Sequence, residues 1–103
     1  MSIGDGDIAF ARELFEALPD LTHRKMFGGI CFYSEETVFA LASSEGRLYL
    51  KAYDEVAERL QADGAEQFHT MPYWSLPEDL LDDADAACDL ARETLKALRE
   101  TST

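Results

Sequence analysis

The chain has 103 residues and a formal net charge of −12, from 21 acidic and 9 basic side chains. This balance repels phosphate backbones and anionic lipid, so direct nucleic-acid binding and membrane attachment are both disfavoured. The hydrophobic fraction of 47% is typical of globular proteins and argues against disorder. We expect one domain over residues 1–103, with an ordered core at about 8–99.

The first segment carries apolar residues at helical spacing. This spacing predicts a helix that begins at Ile8, is capped by Asp7 and is stopped by Pro19. Its apolar stripe contains Ile8, Ala11, Leu14, Phe15 and Leu18.

Three strand-like runs follow, with short connections. The first, Arg24–Tyr33, is predicted to be one strand bent at Gly28-Gly29, with Phe27 in the core. The others are Thr37–Ser43 and Arg47–Ala52. Connections this short allow only antiparallel pairing.

The second half of the chain predicts a helix, two short strands and a helical pair. Asp54 is placed to cap the first helix and Gly64 to end it. The remaining elements are Phe68–Thr70, Tyr73–Ser75, the single turn Glu78–Leu81, and a final helix that Asp82 or Asp83 caps. The apolar stripe of the final helix contains Ala84, Ala87, Cys88, Ala91, Leu95 and Leu98.

These elements predict an α+β fold of two layers in the order α-β-β-β-α-β-β-α. A five-stranded antiparallel sheet with its helices packed on one face satisfies that order. The N-terminus has no basic region before an apolar run, and no segment approaches the roughly 20 apolar residues that span a bilayer. A cytoplasmic location is therefore expected.

The chemistry-bearing residues show none of the usual motif spacings. His23, Cys31 and His69 lack metal-ligand spacing, and Cys88 lies on the apolar stripe of a helix, where an inert thiol is expected. The acidic residues from Glu78 to Asp89 lack the order of a calcium loop. We therefore expect no metal, no cofactor, no disulfide and no catalytic residue.

The sequence favours a binding surface over a catalytic or metal site. Large amphipathic rings are enriched at interface hot spots, which makes Tyr49, Tyr73 and Trp74 candidates for partner contact. Tyr49 should lie on the outward side of its strand. The basic pair Arg24 and Lys25 is a candidate anchor for an acidic group of a partner.

Several segments together resemble the N-terminal domain of the TfoX/Sxy competence regulators. The matching segments, in order and spacing, are Arg24 to Gly29, Phe32-Tyr33, Phe39 to Leu41, Arg47 to Lys51 and Met71 to Glu78. The resemblance covers residues 8–98 and departs at Asp83-Ala84, where the family often has Asp-Pro.

The resemblance implies a two-layer α+β domain similar to the secretion-chaperone-like fold. It also implies a part in activating DNA-uptake competence genes, together with a cyclic-AMP receptor protein at promoters. Full-length members carry a helical C-terminal domain that is the better candidate for nucleic-acid contact. This chain stops at Thr103, so we expect it to act through a protein partner. A homodimeric scaffold, a chaperone-like adaptor and, less favoured, a metal-dependent enzyme are the alternatives.

Overall fold

Five antiparallel strands lie side by side in their chain order, β1-β2-β3-β4-β5, in the computed structural model, which describes residues 5–26 and 29–101. In this part of the chain the elements are α1 (Asp5–Leu14), β1 (Leu21–Met26), β2 (Gly29–Ser34), β3 (Thr37–Ala42), β4 (Leu48–Lys51), α2 (Asp54–Ala62), β5 (Tyr73–Ser75), α3 (Glu78–Leu81) and α4 (Ala84–Thr101). The predicted α+β class and five-stranded antiparallel sheet are confirmed.

The element order differs from the predicted one at two places. The single bent strand Arg24–Tyr33 is wrong: β1 and β2 run antiparallel in register from Leu21↔Ser34 to Met26↔Gly29. Folding back lets the two halves pair along their whole length, whereas one bent strand would leave β1 without a partner. Phe27 and Gly28 lie outside the described residues, so the core position predicted for Phe27 is not described.

The second difference concerns Phe68–Thr70, which forms no strand. Only an isolated bridge, Gln67↔Trp74, extends the pairing beyond β5. His69 has a positive φ of 54°, a left-handed conformation that interrupts extended pairing. The fifth strand of the sheet therefore comes from the β1–β2 hairpin.

A bulge in β3 adapts the sheet to the helices. Phe32 pairs with Ala40 and Tyr33 with Val38, so Phe39 has no opposite residue. The extra residue directs the side chains of both Phe39 and Ala40 toward the main core, where each residue is 0% exposed. Strict alternation, which the sequence predicts, would have placed them on opposite faces.

The main core lies between the helices and one face of the sheet. The predicted stripe of α1 and its following turn is buried except for Ile8, which is partly buried, and the Phe15 ring meets Phe39 edge-on at 5.0 Å. From α4, Ala87, Cys88 and Ala91 join this core, whereas Ala84 is exposed. The helices described here contribute their buried residues to this face.

The predicted ends of the first helix are wrong: α1 spans Asp5–Leu14, so Asp7 lies inside it and it ends before Pro19 is reached.

The ends of the other helices follow local chemistry with one exception. The Asp83 carboxylate accepts the amide of Ala86 at 3.1 Å and caps α4, as predicted. Gly64, at φ 92°, follows α2 in the left-handed conformation expected of a helix terminator. Asp54 is not the cap of α2: it is the first helical residue, and Tyr53 occupies the cap position without a side-chain hydrogen bond.

Candidate functional site

The face of the sheet opposite the main core carries a second, smaller apolar cluster. Its buried members are Cys31, Leu41, Tyr49 and Tyr73, with Tyr33, Val38 and Phe68 packed against them. Among the described residues, all of these except Phe68 come from strands. We call this surface the open face, because no described helix contributes to its cluster.

The segment between α2 and β5 folds over one side of the open face. The Phe68 amide donates to the Tyr73 carbonyl at 2.8 Å, and the Ser75 amide donates to the Glu66 carbonyl at 2.9 Å. The Ser75 hydroxyl accepts the Glu66 amide at 2.8 Å. These bonds hold the Phe68 ring edge-on against Tyr49, with centroids 4.9 Å apart.

A pocket of about 880 Å³ opens between this segment and the sheet. Its size falls within the range of roughly 300–1,000 Å³ that small-molecule binding pockets occupy. Its apolar lining comes from the open-face cluster and Met71, and its polar lining from the β3–β4 turn and the Phe68 segment. The lining residues are Gly29, Cys31, Leu41, Ser43, Ser44, Glu45, Tyr49, Gln67, Phe68, His69, Met71 and Tyr73.

Two arginines stack on tyrosines of the open face. The guanidinium of Arg24 lies 5.6 Å from the centre of the Tyr33 ring, and that of Arg47 lies 5.6 Å from the centre of the Tyr49 ring. Both distances fit a cation–π contact. Arg47 also pairs with Glu66 at 3.6 Å. The open face thus combines aromatic surface with positive charge in a protein of net charge −12.

Two titratable groups of the pocket, Cys31 and Tyr73, are shifted toward their neutral forms. Burial raises the pKa of the Cys31 thiol, and the charge of Lys51 offsets only part of this effect. Burial also raises the pKa of Tyr73 to about 12, with further contributions from Cys31 and Tyr33. A thiol in this state is a weak nucleophile near neutral pH.

The residues considered for metal or acid–base chemistry do not converge. His69 and Cys31 both line the pocket, whereas His23 follows the register of the opposite face. Arg12 donates to Nδ1 of His23 at 2.9 Å. Within residues 5–26 and 29–101 no three His, Cys, Asp or Glu side chains gather around a position that could hold a metal ion. Both cysteines are buried and unbonded to each other.

The five residues predicted for partner contact fall on two faces. Arg24, Tyr49 and Tyr73 lie on the open face, and Tyr49 points outward from its strand as predicted. Tyr49 and Tyr73 are only 8% and 7% exposed, because the Phe68 segment covers them. Lys25 pairs with Ile30 and follows the helix-side register, and Trp74 packs against the main core.

Sequence reasoning missed Phe68, Leu41 and Met71 as parts of the pocket. The sequence places Leu41 in the predicted strand Thr37–Ser43 but gives it no distinct role. The sequence predicts a strand at Phe68, although Met71-Pro72 three residues later is a turn signal that predicts a folded-back segment. Met71 is 44% exposed and lies among the pocket residues.

None of the described helices is both long enough and apolar enough to cross a bilayer. A comparison with curated proteins gives no match. The family model described as the TfoX N-terminal domain matches residues 13–98, which include β1 to β5, the pocket lining and most of α4. The resemblance read from the sequence and the five-stranded fold agree with this match, and the chain belongs to the TfoX N-terminal domain family.

Proposed function

We propose that this chain is a non-catalytic regulatory domain that acts in DNA-uptake competence by binding a protein partner through the pocket on its open face. The family match supports the connection with competence. The pocket supports the proposed binding of a protein partner, because it is an apolar recess on the sheet face that the described helices leave uncovered.

The lining of the pocket suits an apolar side chain of a partner. Leu41, Tyr49 and Tyr73 form buried apolar walls, and the exposed Met71 is a flexible, polarisable side chain that can adapt to a bound group. Buried pockets that receive an anchoring side chain, surrounded by a polar rim, are the usual centre of a protein interface. Ser43, Ser44 and Gln67 supply polar groups around these walls.

A role without catalysis is supported by the state of both thiols. Burial raises the pKa of Cys31 and of Cys88, and the Cys88 thiol donates to the Leu14 carbonyl at 3.2 Å. Neither thiol is prepared as a nucleophile. The net charge of −12 favours partners other than duplex DNA, so any promoter effect would pass through a partner protein.

The test compares two apolar side chains of equal exposure. Met71 is 44% exposed at the pocket, and Phe10 is 45% exposed on α1. Met71→Asp and Phe10→Asp each introduce a carboxylate, and both should keep the fold, which a thermal melt verifies. Each variant replaces the wild-type gene in the native host, and transformation frequency and competence-gene transcripts are measured.

We expect Met71→Asp to lower both readouts and Phe10→Asp to leave them unchanged. Equal activity of the two variants, or no effect of deleting the gene, would show the proposal to be wrong. The purified protein should not bind duplex DNA with sub-micromolar affinity in physiological salt. Such binding would assign the activity to DNA contact instead.

A further inference from the structure

We propose that the outer edge of β1 binds an extended, acidic segment of a partner protein as an added strand. This inference rests on the proposed function only in that it assumes a protein partner. The site is separate from the pocket, and it consists of the backbone and the exposed side chains of residues 22–25.

The two edges of the sheet differ in what covers them. At β5, the Phe68 and Glu66 backbone groups bond to Tyr73 and Ser75, and Gln67 bridges to Trp74. At the other end, β1 is the outermost strand, and no described strand pairs with its outer side. Every second residue of an edge strand directs its N–H and C=O groups outward, where another strand can bond to them.

The side chains along β1 give the edge a positive charge. Thr22, His23, Arg24 and Lys25 are all exposed. Arg24 leans over Tyr33 on the open face, and Lys25 follows the opposite register beside Ile30. An added strand with acidic residues would therefore find one cation on each side of its backbone. Cross-strand pairs of opposite charge are stabilising.

The position of the charge along β1 also matters. Leu21 pairs with Ser34, so the start of β1 lies beside the acidic turn Glu35–Glu36. The Arg12 guanidinium already donates to the Leu21 carbonyl at 3.5 Å. The stretch available to a partner is therefore the second part of β1, where Arg24 and Lys25 lie, and an acidic segment would be favoured there.

A second copy of this chain fits the edge less well. Antiparallel pairing of two β1 strands across the available stretch, centred between Arg24 and Lys25, would set Arg24 of each copy opposite Lys25 of the other. Like charges in opposite positions of a ladder are destabilising. Edge cations commonly prevent this kind of self-pairing, and the same cations attract an acidic strand. Charge complementarity thus selects an acidic partner segment over a homodimer.

The experiment titrates the isotope-labelled full chain with a blocked hexapeptide that has two adjacent glutamates between pairs of valines, so that one glutamate falls on each face of the sheet. Amide chemical shifts and hydrogen exchange are followed by NMR at physiological salt. We expect shifts and added protection centred on residues 22–25. A lysine–valine peptide should give neither effect. An acidic peptide with alternate amides methylated should bind weakly, because it cannot complete the ladder.

Two double variants distinguish the effect of charge at the β1 edge from the effect of the net charge of the protein. The double variant Arg24→Glu, Lys25→Glu should bind the acidic peptide about tenfold more weakly, because two attractive charge pairs become repulsive. The control variant Arg92→Glu, Lys96→Glu changes the net charge by the same amount, but on the exposed side of α4. Its affinity for the acidic peptide should equal that of the wild type.

Equal weakening in both double variants would overturn the inference, as would shifts that map elsewhere or no binding at millimolar peptide. A dimer in light scattering that dissociates in the Arg24 and Lys25 variant would assign the edge to a second copy. The titration needs neither the host nor an intact pocket. Its failure would leave the pocket proposal standing, and failure of the Met71 test would leave the edge proposal standing.

Discussion

The Phe68 ring stands edge-on against the Tyr49 ring, with centroids 4.9 Å apart, and so joins the segment after α2 to the open face of the sheet. Phe68 is the member of this cluster that does not come from a strand. The backbone bond from its amide to the Tyr73 carbonyl places the ring, and the ring in turn covers Tyr49. One side of the pocket therefore depends on this aromatic contact together with the backbone bonds of the segment.

Replacing Phe68 by Ala should lower the free energy of unfolding by about 2 kcal/mol, less than for a fully buried ring because Phe68 is half-buried. Urea denaturation measures this loss. Phe10→Ala removes the same group from a site that is 45% exposed and should change stability by less than about 0.5 kcal/mol. Equal losses in the two variants would mean that Phe68 does not anchor the segment.

Gly29 and Gly6 should respond to alanine in opposite directions. A Cβ at Gly29 would collide with the backbone carbonyl of Ala42, which is fixed by the β2–β3 ladder. Gly29→Ala should therefore destabilise by more than about 1 kcal/mol. A Cβ at Gly6, in α1, would meet no atom within 4 Å. Gly6→Ala should stabilise by up to about 1 kcal/mol. Thermal melts of the two variants check both signs, and a stable Gly29→Ala would contradict the close approach.

The two-residue turn between β2 and β3 is strained by its side chains. Glu35 and Glu36 have φ values of 49° and 68°, the left-handed conformations of a hairpin turn that favours Asn-Gly. Glu36→Gly should therefore stabilise the protein by about 1 kcal/mol. Glu58→Gly removes the same charge from the interior of α2 and should destabilise by about 1 kcal/mol. Chemical denaturation at one pH compares them, and a loss of stability in both would refute the strain.

Stability should decline in alkaline solution as Tyr73 ionises. Its pKa is about 12 in the folded protein, because burial disfavours the phenolate. The unfolded value is about 10, so the folded state holds this proton more tightly. The protonated phenol therefore makes its full contribution to the free energy of unfolding below about pH 10, and this contribution is lost as the pH rises through about 12.

Tyr73→Phe cannot ionise and should show a shallower decline than wild type between about pH 10 and 12, measured as urea midpoints. Cys31 and Cys88, whose pKa values burial also raises, keep their contributions in this variant. An identical decline in wild type and Tyr73→Phe would show that the phenol makes no contribution.

Much of the fold follows from local pattern. The α1 stripe, the Asp83 cap and the Gly64 terminator were read correctly because each depends on residues within a few positions along the chain. The sequence predicts one bent strand in place of the β1–β2 hairpin because paired glycines such as Gly28-Gly29 are typical of a bulge inside a strand. The strand β1, which pairs with β2, begins at Leu21 and so starts before the strand-like run that begins at Arg24.

The candidate site was predictable only in part. Tyr49 could be placed on the outward side of β4 because strands alternate. Alternation does not tell which outward residues a distant segment will cover, so the burial of Tyr49 and Tyr73 beneath Phe68 was not foreseen. The opposite orientation of Trp74 follows from its register with Leu50, which is a tertiary contact.

By itself the sequence determined the family, the α+β class, the acidic surface and the approximate ends of α2, α3 and α4. These depend on composition, motif spacing and contacts within a few residues. Only the tertiary structure decided that Gly29 begins a second strand against Ala42, that Phe39 enters the core through a bulge, and that a pocket forms beside Phe68. Each of these depends on which distant backbone groups pair, because pairing register sets the face on which every side chain lies.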